Sequence, residues 1–158
     1  MRQPVGAPVS EPTTRLGNWF AKPLFWQPQY ALFVSETTFL PVLAPLAPAV
    51  RLSVRFPDDL AATLRAHGVT EYFIDREIAA MDDVVVSKTD SRQVVGVLNE
   101  FAIMASRIRA IHPAWDPLQI AVELAGVPVG IRQSEYVFPD IGLHEVVKRA
   151  SNRSPNDG

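Results

Sequence analysis

Lys88, Thr89, Arg92, Asn99 and Glu100 bring two cations, a hydroxyl, an amide and a carboxylate together over a short run of chain. Val84, Val85 and Val86 precede them and read as a short buried strand, being three β-branched residues in succession. Asp90 lies three residues before Gln93, a capping-box spacing that opens a long helix. A strand-to-helix junction exposes backbone N–H groups at the positive end of the helix dipole, and Lys88 and Arg92 add charge there. The chemistry such a junction suits is the binding of an anion or a phosphate. It has no glycine-rich loop, and Asp90 would compete with any anion for the same N–H groups. Further on, Arg92, Gly96 and Asn99 fall at i, i+4 and i+7 on one stripe of the helix, with Glu100 beside it. Glycine costs a helix about 1 kcal/mol relative to alanine, which suggests a close approach at Gly96. The expected reading of the stripe is a polar clamp, with a half-buried Arg92 paired to a protein acceptor and tying helix to sheet.

Other chemistries find less support. The chain has no cysteine, so thiolate catalysis, disulfides and Cys-type zinc sites are excluded. His67, His112 and His144 form no metal-ligand spacing, and Ser87 and Ser91 lack a glycine elbow. No metal and no cofactor are expected. The alternation at Arg51, Ser53 and Arg55 is that of a solvated strand face. Residues 118–132 hint at a helix-turn-helix, but Pro128 and Gly130 disfavour its second helix. A formal net charge of −2 also supplies no basic excess for nucleic acid.

The elements that would position these groups can be read in order. Hydrophobic and charged fractions of 47% and 20% over 158 residues are those of one ordinary globular domain. Residues 1–14 and 151–158 are expected to be tails, around a single domain over 15–150. Gly17 to Trp26, Tyr30 to Val34 and Thr38 to Leu43 suggest a β-meander, and Pro41, Pro45 and Pro48 imply that its last strand is an edge or trails into a loop. Arg51 to Phe56 alternates as a strand, with Leu52, Val54 and Phe56 on one side. Pro57 and Asp58 then open a helix carrying Leu60, Thr63, Leu64 and His67, which stops at Gly68. Ile74, Ile78 and Met81 suggest a short helix within 71–83.

From Val94 to Ile108 apolar residues fall on almost every side, which predicts a central helix buried all round. Asp116 and Pro117 open another helix that stops at Gly126. Asp140 caps a last one with the stripe Leu143, Val146, Val147 and Ala150. The expected class is α+β: a small antiparallel sheet with helices packed on one side. No signal peptide is readable, and the most apolar stretch, Phe39 to Val50, is too short and proline-broken to span a bilayer. A cytoplasmic location is the default expectation.

Two stretches together carry a family resemblance. Leu16 to Pro45 (LGNWFAKPLFWQPQYALFVSETTFLPVLAP) and Lys88 to Ala102 (KTDSRQVVGVLNEFA) resemble a bacterial domain family of unknown function. Its members show an N-W-Y/F-A-N segment and a KT-x-x-R-x-V-x-G-x-x-N-D/E-F signature. Lys22 stands where that family tends to have asparagine, and Glu100 where aspartate is common. The resemblance marks Trp19, Lys88, Thr89, Arg92, Gly96, Asn99 and Glu100 as family-like, and it implies no activity.

Two functions follow as expectations. The first is a non-catalytic protein-binding or regulatory module, acting through a protein partner or self-association. Its contact surface would be the aromatic segment holding Trp19, Phe20, Trp26 and Tyr30, since aromatics dominate interface cores. The alternative is an enzyme or sensor holding a phosphorylated ligand at Lys88, Thr89, Arg92, Asn99 and Glu100. DNA binding through residues 118–132 is the weakest reading, and no membrane association is expected.

Overall fold

The run Tyr30–Ser35 is apolar at both alternating sets of positions, the pattern of a strand covered on both faces. In the structure, a computed structural model that describes residues 14–46, 52–81, 91–132 and 134–153, this run is the middle strand of a three-stranded sheet. The strands are β1 (Trp19–Leu24), β2 (Tyr30–Ser35) and β3 (Pro41–Pro45), all antiparallel, with Trp19 opposite Ser35 and Val34 opposite Pro41. Prolines occur only in the two edge strands: Pro23 in β1, Pro41 and Pro45 in β3. There a missing N–H leaves the sheet's inner ladder intact. The expected meander is present.

Five helices and a second hairpin complete the described residues. They are α1 (Leu52–Ala66), α2 (Glu71–Ala80), α3 (Arg92–Ile111), α4 (Pro117–Ala125), β4 (Val129–Arg132), β5 (Glu135–Val137) and α5 (Pro139–Arg153). The class is α+β, but the helices cover both faces of the three-stranded sheet rather than one. Ala31 and Phe33 of β2 join a core with Phe56, Leu60 and Leu64 of α1, Phe73 and Ile74 of α2, and Leu143 and Val146 of α5. Leu32 and Val34 point the other way, into a core with Val94, Leu98 and Phe101 of α3 and Ile120 and Leu124 of α4. The double-sided burial of β2 requires this arrangement.

Three local expectations are overturned. Arg51 to Phe56 is not a strand, because α1 begins at Leu52, and Phe56 heads a helical stripe with Leu60, Thr63 and Leu64. The i, i+4, i+7, i+8 spacing of four buried residues outweighs a short alternation. The helix continues through Pro57, which has no N–H for the carbonyl four residues back.

Next, α3 is not buried all round. Val94, Val97, Leu98, Phe101 and Ala105 form one buried stripe, while Val95, Ile103 and Ile111 are exposed. Nor does α3 follow the last strand, since β4 and β5 come after it. Finally, residues 118–132 are no helix-turn-helix: α4 leads through Gly126 into β4, where Pro128 and Gly130 favour extended chain. The expected strand at 84–86 lies outside the described residues.

Several ends follow sequence chemistry. Asp116 accepts from Gln119 N (2.9 Å), and Gln119 Oε1 accepts from Asp116 N (2.9 Å), a full capping box with Pro117 at the first helical position. Gly68 takes φ +80° after α1, where Val69 N donates to Leu64 O and Gly68 N to Arg65 O, closing a Schellman motif. Thr70 caps α2. The cap of α3 is Ser91, whose Oγ accepts from Val94 N (3.2 Å), and not Asp90. Gln93 instead donates Nε2 to Ile131 O (3.2 Å), tying α3 to β4. α5 starts at Pro139, one residue before Asp140, and runs through Arg153.

Candidate functional site

The β2–β3 turn, residues 36–40, is built around one hydroxyl. Ser35 is fully buried; its Oγ donates to Leu16 O (2.6 Å) and accepts from Thr37 N (3.1 Å) and Thr38 N (3.2 Å). Ser35 N donates to Leu40 O, and Phe39 N to Ser35 O, which closes the turn. Closure forces Phe39 to φ +62°, a left-handed conformation that costs a non-glycine residue about 1–2 kcal/mol. Its ring is buried among Val34, Leu43 and Val97, and that apolar burial offsets the strain.

The turn interlocks with the start of β1. Asn18 N donates to Glu36 Oε1 (3.0 Å) and Glu36 N donates to Asn18 O (2.9 Å). Gly17, at φ +76°, is pressed so close that a Cβ there would lie 2.6 Å from Thr37 Oγ1. Leu16 N and Arg15 N donate to the two carboxylate oxygens of Glu77 on α2, each at 3.0 Å. Glu77 is buried; burial pushes its carboxyl above the ordinary value of 4.5, and the Leu16 and Arg15 N–H groups pull against that rise. The LGNW and VSET segments are therefore two halves of one buried polar junction.

Beyond the turn, an open groove of about 530 Å³ lies between residues 36–39, the β4–β5 hairpin and α5, with Gln93 of α3 closing one side. Its apolar lining includes Tyr136, Phe138 and Ile141, which are 64%, 41% and 53% exposed. Glu36, Glu145 and Arg149 are its charged residues, and Thr37 and Tyr136 bring exposed hydroxyls. α5 approaches the turn closely: a Cβ on Gly142 would meet Thr38 Cβ at 3.5 Å, an ordinary contact. This arrangement suits an apolar side chain flanked by charge.

The residues singled out from sequence are distributed differently. Lys88 and Thr89 lie outside the described residues. Arg92, Gly96, Asn99 and Glu100 are all exposed on α3, and a Cβ on Gly96 would meet nothing within 4 Å. The clamp is therefore corrected: among the described residues no group approaches Gly96, and Arg92 is exposed rather than half-buried. Of the aromatic segment, Phe20 is buried in the core shared with α3 and α4. Trp19 packs edge-on to Phe56 (5.2 Å between centroids), and Phe56 lies 4.4 Å from Phe33. Trp26 packs near Tyr30 (6.0 Å), donates Nε1 to Ser106 Oγ (3.2 Å) and carries the Arg109 guanidinium 4.6 Å above its ring.

Elsewhere, desolvation lowers the pKa of His67 at the end of α1, reinforced by His144 and opposed by Asp140. Burial raises that of Asp59 on α1, with Arg55 opposing. Among the described residues no group of three His, Asp or Glu side chains is placed to hold a metal ion. None of their helices is long and apolar enough to cross a membrane. Sequence reasoning missed Ser35, Glu36, Glu77 and the groove residues, since their partners are distant in the chain. The one signal within reach was Tyr136, Phe138 and Ile141, three large apolar residues gathered around the start of the last helix.

Fold and site together define a small α+β domain with a two-sided sheet and an open groove at one end. The chain belongs to a family described as a domain of unknown function, DUF6933, whose pattern matches residues 3–141. No curated protein and no solved structure matches it.

Proposed function

We propose that this domain is a non-catalytic protein-binding module and that the groove beside the β2–β3 turn is its contact surface. One observation carries the reading: Tyr136, Phe138 and Ile141 stand exposed along a single open groove. Large apolar side chains gathered in a concave site are what a partner's anchor residue uses. The occupant is an extended polypeptide segment with an apolar anchor and a neighbouring Lys or Arg. The anchor meets Tyr136, Phe138 and Ile141, and the cation meets Glu36 and Glu145. The aromatic segment expected to serve as the contact surface is less suited, because Phe20 and Trp19 spend their rings on the interior.

A displayed library of random peptides, selected on the full chain, tests this reading. Enriched sequences should share an apolar residue next to a basic one and lose binding to an Ile141→Asp variant. Failure to enrich any sequence, or enrichment of peptides that bind the variant equally well, would overturn it.

A further inference from the structure

On the outward face of α3, Gly96, Glu100, Ile103, Arg107 and Ile111 follow one another at steps of four, three, four and four residues, so they form one stripe along the helix. All five are exposed; Ile103 is 55% and Ile111 71% exposed, and Gly96 looks onto open space. Among the described residues neither Glu100 nor Arg107 makes an ion pair. Gly96 costs this 20-residue helix about 1 kcal/mol relative to alanine, and two isoleucines share its solvent face.

Reversed, the stripe is complementary to itself: an anion answers a cation, and bare backbone answers an isoleucine. Taken about a midpoint between Ile103 and Met104, Glu100 lies as far on one side as Arg107 on the other, and Gly96 as far as Ile111. At 1.5 Å per residue the outer pair sits about 11 Å from that midpoint. Laying a second α3 antiparallel across the first, at the shallow crossing typical of helix pairs, brings each Glu100 level with the partner's Arg107. The same operation sets each exposed Ile111 over the bare backbone at the partner's Gly96, with Ile103 at the centre. A two-fold contact demands this self-complementarity.

We infer that the outward face of α3 is an interface between two copies of this chain, joined antiparallel about Ile103, with reciprocal Glu100–Arg107 ion pairs. This surface is distinct from the groove, so its failure leaves the binding reading untouched. Sedimentation of the full chain over a range of concentrations tests it. The parent should show a reversible monomer–dimer equilibrium. Glu100→Arg or Arg107→Glu alone should weaken the dimer about tenfold or more, since each reversal sets like charges together twice. Glu100→Arg combined with Arg107→Glu should restore it, and Ile111→Ser should weaken it without recovery. All of these residues are exposed, so thermal melts of the variants at low concentration should match the parent. A chain that stays monomeric at every concentration would overturn the inference, as would a double charge swap no better than either single reversal.

Discussion

The two sides of the β2–β3 turn answer opposite physical demands. Toward β1 and α2, every group named at the junction has a fixed partner: Ser35 Oγ makes three hydrogen bonds, Glu36 bonds Asn18, and Glu77 takes two backbone N–H groups. Toward α5 and the β4–β5 hairpin, Tyr136, Phe138 and Ile141 stand partly exposed in an open groove. A buried polar atom left without a partner costs about 1–3 kcal/mol, against about 0.5–1.5 kcal/mol contributed by a satisfied one, so losing a partner on the first side destabilises the fold. Exposed apolar atoms cost solubility but little folding energy, so the second side is free to serve a partner. In the proposed reading, which half of the turn a residue belongs to separates its structural from its functional role.

The largest effect belongs to the core beneath the junction. Phe56 is fully buried against Trp19 and Phe33, and Phe56→Ala should destabilise the fold by about 3–5 kcal/mol in urea melts. A loss below about 1 kcal/mol would place α1 outside the main core. Next comes the junction itself. Glu77→Ala removes the acceptor of both Arg15 N and Leu16 N, and a cost of about 1–3 kcal/mol is expected by the same measurement.

Glu77 also sets a pH dependence. Its folded-state carboxyl titrates above the ordinary 4.5, so the folded state favours the protonated form. Its contribution is fully present below 4.5 and is lost as pH rises through the folded-state value. The stability of the parent relative to Glu77→Gln should therefore be greatest at acid pH and decline toward neutrality. A difference that grew with pH would mean that the two N–H bonds outweigh burial.

The same division explains what the sequence could reveal. Local chemistry was legible: the N-cap at Asp116 ahead of Pro117, the stop at Gly68, the edge-strand prolines and the α5 stripe all act within a few residues. Phe101 and Leu98 are in the core as their helix implied. The solvent side of α3 misled because valine and isoleucine occupy it, and composition alone cannot distinguish an exposed apolar face from a buried one. The start of α1 misled because Leu52, Val54 and Phe56 mimic a strand ahead of a proline. The junction was invisible, since Leu16 and Glu77 meet across 61 residues and Ser35 and Leu16 across 19. The groove needs the β2–β3 turn, Gln93 of α3 and the run from β4 into α5 brought together from three separate parts of the chain, and no periodicity encodes that.

The smallest effect bears most directly on the central claim, that the groove's apolar residues are not there to hold the fold together. A Tyr136→Ser, Ile141→Ser double variant should melt in urea within about 0.5 kcal/mol of the parent, the range of ordinary surface substitutions. A loss of about 2 kcal/mol or more would show that these side chains stabilise the folded state, and would contradict the assignment of the groove to a partner.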